Sequence, residues 1–124
     1  MKYSIKKYIT LLCFFGITFS YAQEKKVEKG NEEFNKYAFI DAREAYLKVA
    51  EDGYRDAGML EKLGDSYYFT ADYKNAAQWY GVLYDLPEDM EAEYLYRYAL
   101  SLKSDEQYTA SDKVMEEFLA KKGA

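Results

Sequence analysis

The chain has 124 residues, 49% hydrophobic and 31% charged, the size and balance of one globular domain. Twenty-two acidic against 17 basic residues give a formal net charge of -5, which repels phosphate backbones and argues against nucleic acid as a partner. With no histidine there is no side chain whose ordinary pKa lies near neutrality, and the unusual feature that remains is fifteen tyrosines.

Residues 1–22 read as an export signal. Lys2, Lys6 and Lys7 precede an apolar run from Tyr8 to Phe19, and Ser20 and Ala22 stand at the -3 and -1 positions of a cut before Gln23. The run is about a dozen residues, short of the roughly 20 that cross a hydrocarbon core, so no transmembrane span is expected once the signal is removed. Cys13 follows Leu11 and Leu12, whereas a lipoprotein signal places a small residue just before its cysteine. The mature chain then has no cysteine, hence neither a disulfide nor a cysteine nucleophile, and its net charge moves to -8 because three lysines and no acid leave with the signal.

From Gln23 the chain divides into helical segments. The lead from Gln23 to Gly30 is charged and predicts a frayed start, and Phe34, Tyr37 and Ala38 follow. A second helical pattern carries Phe39, Ala42, Ala45, Tyr46, Val49 and Ala50, and Gly53 suits the left-handed residue that ends it. The central stretch LEKLGDSYYFTADYKNAAQWY predicts one helix from about Ala57 to Thr70 and an antiparallel one from about Tyr73 to Asp85. Gly64 and Ala76 let these two backbones approach while Leu63, Tyr67 and Tyr80 fill the space around them. The single proline, Pro87, separates this pair from a third, with Tyr94, Leu95, Tyr98, Ala99 and Leu102 on one helix and Tyr108, Ser111, Met115 and Phe118 on the other.

Overlaying the segments reveals a repeat. An aromatic residue precedes a small one by three positions at Phe39 and Ala42, Tyr73 and Ala76, and Tyr108 and Ser111, spaced by 34 and 35 residues. A bulky residue follows each by four, at Tyr46, Tyr80 and Met115, and Gly30, Gly64 and Ala99 hold the close-approach position. This pattern resembles the tetratricopeptide repeat. The resemblance implies an all-α fold of three antiparallel helix pairs in a short right-handed α-solenoid, over residues 23–124, with repeats at about 23–56, 57–90 and 92–124. In the first repeat Lys26, Lys29 and Glu33 replace Leu60, Leu63 and Tyr67, as expected of a polar terminal unit.

Tyr67, Tyr73, Tyr80 and Tyr98 fall at packing positions, whereas Tyr68, Phe69, Tyr84, Tyr94 and Tyr96 cannot all point inward. In tetratricopeptide arrays the first helices line a groove for a peptide or protein helix. By that analogy the groove-facing positions are Val27, Asn31 and Phe34, then Glu61, Asp65 and Tyr68, then Tyr96, Leu100 and Lys103. Groove binding competes here with a merely solvated surface. Members that clamp a terminal carboxylate use Lys, Asn and Arg at these sites, and only Asn31 could serve. Glu61 and Asp65, four residues apart with like charge, leave a strain that a basic or amide-rich partner, or Lys62 and water, could relieve.

No enzyme, cofactor or metal site is expected. The acidic clusters at Glu88 to Glu93 and at Asp105 and Glu106 lack the alternating oxygens and central glycine of a calcium loop and read as helix starts. Trp79 reads as packing, and no glycine-rich phosphate loop occurs.

The run KLGDSYYFTADYKNAAQWYGVLYDL with EYLYRYALSLKS also resembles the amino-terminal tetratricopeptide region of OmpA-family envelope proteins. That resemblance implies the periplasm, or the periplasmic side of the outer membrane, and a non-catalytic scaffold that docks a protein or peptide. The alternative is a structural spacer or a secretion or assembly accessory with no groove ligand. The peptidoglycan-gripping module of that family is not encoded before Ala124. Ala110, Val114, Met115, Phe118 and Leu119 form an apolar stripe on the last helix, expected to meet a following domain, a further helix or a second copy of the chain.

Overall fold

The structure is a computed structural model that describes residues 21–123. The expected export signal lies outside the described residues except for Tyr21 and Ala22, which are helical. Six helices and no strand occur among the described residues: α1 over 21–35, α2 Phe39–Glu51, α3 Ala57–Tyr68, α4 Tyr73–Tyr84, α5 Ala92–Ser104 and α6 Tyr108–Gly123. The two central helices end one to two residues short of the expected Thr70 and Asp85. Among the described residues no helix is long and apolar enough to cross a membrane.

Helix boundaries follow from local chemistry. Asp56 and Asp72 accept from the backbone N–H of Met59 and Asn75, satisfying donors that have no partner in the first turn of α3 and α4. At the other ends, Tyr37, Ala71 and Glu106 each adopt a left-handed backbone at φ 61, 60 and 61°. The residue after each donates to a carbonyl five positions back: Ala38 to Glu33, Asp72 to Tyr67 and Gln107 to Leu102. One C-terminal hydrogen-bonding motif thus closes α1, α3 and α5 and turns the chain into the next helix. Gly53 (φ +92°) closes α2 as expected, and Arg55 caps its Ala50 carbonyl at 2.6 Å. Asp105 and Glu106 close α5 rather than opening α6, a correction to the sequence reading: Asp105 accepts from the Gln107 amide and Glu106 occupies the left-handed position.

Each pair folds back on itself. In α3 and α4, Tyr68 meets Tyr73 beside the turn (5.6 Å between rings) while Gly64 meets Tyr80 further along, which is antiparallel packing. A Cβ on Gly64 would sit inside the fully buried Tyr80 ring, and one on Gly30 inside the Tyr46 ring. Only glycine lets these helices approach so closely. The third pair has Ala99 there and Met115 in place of the tyrosine, and the Ser111 hydroxyl donates to the Ala99 carbonyl at 2.7 Å. Pairs then pack on one another in chain order, α2 on α3 and α4 on α5, with α3 also touching α5.

The core runs continuously through these layers. Leu60 and Leu63 are fully buried, each contributing about 1.5–3 kcal/mol by burial. Trp79 is buried too, as expected of packing. Of the four tyrosines expected at packing positions, Tyr67 and Tyr80 are buried while Tyr73 and Tyr98 are half-buried. Phe39, Tyr73 and Tyr108 all begin the second helix of a pair. Phe39 packs on Phe34 as Tyr73 packs on Tyr68, but Tyr108 has Lys103 at that position and is 58% exposed.

The charged lead from Gln23 to Gly30 is fully helical, not frayed. Lys and Glu are good helix formers, and the segment is anchored by buried Gln23, by Val27 against the core and by Gly30 against Tyr46. Its other side is charged: Lys26, Lys29 and Glu33 face Asp41, Glu44 and Lys48 across a shallow hollow. The apolar stripe of α6 is divided. Val114 is buried and Met115 and Phe118 are half-buried, while Ala110 and Leu119 face outward.

Candidate partner-binding cleft

Two junctions between helix pairs carry the same arrangement. At the first, Asn31 of α1 accepts from the Tyr46 hydroxyl of α2 at 2.8 Å and from Lys62 of α3 at 3.0 Å. At the second, Asp65 of α3 accepts from the Tyr80 hydroxyl of α4 at 2.5 Å and from Arg97 of α5 at 2.9 and 3.0 Å. Each is a polar acceptor beside the close-approach glycine, held by a tyrosine of its own pair and a cation from the next. Burial pushes the Asp65 carboxyl above the usual carboxylate range, although Tyr80 and Arg97 pull it back. The Tyr80 phenol is driven strongly upward by its own burial and then by Asp65, so it stays a donor.

Arg97 connects this buried junction to the surface. Its guanidinium also meets Glu93 at 3.3 Å and lies over the rings of Phe69 (5.1 Å) and Tyr94 (5.5 Å). Beside it opens a cleft of about 480 Å³ lined by Tyr68, Glu93, Tyr96, Arg97, Phe118 and Lys122. Tyr96 and Phe118 stack at 5.1 Å, and the Lys122 ammonium lies 5.7 Å from the Phe118 ring centre. Aromatic walls accept an apolar side chain, and on a rim that also carries Glu93, Lys122 places a positive charge where an accompanying carboxylate would sit.

The residues expected to line a groove separate into two groups. Tyr68 and Tyr96 do line the cleft, and Leu100 is half-buried on the same face of α5, with Lys103 exposed one turn further on. Asn31 and Asp65 instead turn into the junctions, where internal partners consume their bonding capacity. Asp65 is only 5% exposed, so the strain expected between it and Glu61 is relieved from within by Arg97 and requires no external cation. Phe34 packs edge-on against Phe39 at 5.3 Å. Glu61 is half-buried, its carboxyl raised by burial and by nearby Glu91. Glu93, Arg97, Phe118 and Lys122 were not expected there. One signal could have found Arg97: it stands 35 residues after Lys62, the repeat interval, so both cations serve equivalent acceptors.

No known protein-family profile matches the chain, and no curated protein sequence matches it.

Proposed function

We propose that this chain is a non-catalytic protein-interaction scaffold of the cell envelope, built of three tetratricopeptide-like pairs in a short right-handed solenoid. It works by non-covalent docking at the cleft between α3, α5 and α6. The observation that carries this reading is the threefold recurrence, at 34 and 35 residues, of the left-handed turn residues Tyr37, Ala71 and Glu106, together with an aromatic cleft at one edge of the third pair. Stacked hairpins of this kind serve as surfaces for other proteins. Tyrosine and arginine, present in the cleft as Tyr68, Tyr96 and Arg97, are residues that concentrate binding energy at interfaces. An export signal over 1–22 and the likeness to the amino-terminal region of OmpA-family proteins support a site of action in the periplasm or on the periplasmic side of the outer membrane.

Tyr96→Ala tests this reading. Tyr96 is 42% exposed, so its removal leaves the melting curve within a few degrees of the parent while abolishing capture of envelope partners by in-cell crosslinking. An unchanged set of captured proteins would favour a spacer. Tyr68 is less suitable, because its ring packs against both Tyr73 and Tyr80.

A further inference from the structure

We infer that the α5–α6 edge is a docking site for an amphipathic helix of a partner protein, seated in the register that α3 and α5 take within the molecule and presenting an apolar residue where they present a cation. The inference rests on the scaffold reading above and specifies the partner's form.

The template is internal. α3 covers the α1–α2 pair and lays Lys62 on Asn31, and α5 covers the α3–α4 pair and lays Arg97 on Asp65. Under these covering helices Val49 and Leu83 are 0% and 4% exposed, and Tyr46 and Tyr80 are fully buried. The residues at the same places in the third pair are Phe118 and Met115, and both are only half-buried. Among the described residues no helix covers that face.

The chemistry of the face says what fits it. Leu100 stands where the first two pairs have Asn31 and Asp65, and Met115 stands where they have Tyr46 and Tyr80. Neither supplies an acceptor, so a lysine or arginine brought down by the docked helix would lose water without gaining a hydrogen bond. An apolar residue there gains contact instead. The covering helices otherwise present Leu60 and Leu63, or Leu95 and Tyr98, so the partner carries apolar residues at those positions as well. Lys122 has no carboxylate within bonding range among the described residues and lies at the end where the first turn of a docked helix arrives. That turn therefore carries an acid. A second copy of the chain fits less well head to tail, because the opposite end, at Lys26, Lys29, Asp41, Glu44 and Lys48, is charged rather than apolar.

Capped synthetic peptides of residues 91–104, one with the native Arg97 and one with Arg97→Leu, serve as probes, titrated against the full chain by fluorescence anisotropy. They already carry Leu95, Tyr98 and the acidic first turn of α5. The leucine peptide is expected to bind at least about tenfold more tightly than the arginine peptide. Its binding is expected to be lost with Phe118→Glu and kept with Leu119→Glu, whose site faces outward. If Phe118→Glu lowers the melting temperature markedly, Tyr96→Ala replaces it as the disabling variant. No binding, equal binding of the two peptides, or indifference to the cleft variant would overturn the inference. A chain that sediments as a dimer dispersed by Phe118→Glu would overturn it as well, by giving the face to a second copy. Loss of cellular partners with Tyr96→Ala while neither peptide binds would reject the docked helix and leave the scaffold reading standing.

Discussion

The junction built on Asn31 and the junction built on Asp65 share one geometry but differ in one charge. Both acceptors lie one residue past a glycine that admits a tyrosine ring, both accept that ring's hydroxyl, and both receive a cation from the following pair. Asn31 is neutral, half-buried and served by a flexible lysine. Asp65 is ionisable, buried and gripped through both carboxylate oxygens by an arginine. The tyrosine contact is therefore the shared structural element, while the ion pair answers to depth. A neutral amide needs no counter-charge there, but a buried carboxylate requires a fixed one.

Removing the cation from each junction should separate them most. Arg97→Ala leaves Asp65 buried and uncompensated, an expected loss of about 3–5 kcal/mol at neutral pH in urea unfolding. That loss should shrink as the pH falls. Burial already holds the Asp65 carboxyl above its usual range, and without Arg97 it climbs further. The folded variant then binds its proton more tightly than the unfolded chain does, so its stability rises as pH drops from neutrality through the carboxylate range. A pH-independent loss would mean that Arg97 acts through its contacts with Phe69 and Tyr94 instead.

Adding one methyl at the shared element should hurt both junctions alike. Gly64→Ala and Gly30→Ala each drive a Cβ into a fully buried tyrosine ring, with an expected cost of about 1–3 kcal/mol apiece. If Gly30→Ala proved silent while Gly64→Ala did not, the first pair would be more loosely packed than the second. Lys62→Ala should be milder, about 1 kcal/mol or less, because Asn31 keeps its Tyr46 bond, and it should show none of the pH dependence of Arg97→Ala. The smallest effect is a gain. Ala71→Gly relieves a left-handed backbone that costs an L-residue about 1–2 kcal/mol, against about 0.5–1 kcal/mol of glycine's extra freedom when unfolded. A rise in melting temperature of a few degrees is expected by calorimetry.

Much of this architecture could be read from the sequence, because periodicity and packing share a cause. Gly30 and Gly64 declare the close approach since no other side chain fits, and Gly53 declares the end of α2. The direction of polar residues could not be read in the same way. Asn31 and Asp65 on a helix surface look like groove residues until the cation of the next pair is placed beside them, and that cation lies 31 or 32 positions away. The lead from Gln23 is helical for a related reason: its charges face away, while Gln23, Val27 and Gly30 hold it to the molecule.

The all-helical class, the spacing of the pairs and the positions where helices touch are written in the amino-acid order, because small and aromatic residues in phase admit few packings. That Asp65 is satisfied internally, and that Tyr68, Tyr96, Arg97, Phe118 and Lys122 converge on one cleft, emerges from the packing of the helices. A residue type fixes what a side chain can bond to, but which partner stands within 3 Å is set by how separate helices come to rest against each other.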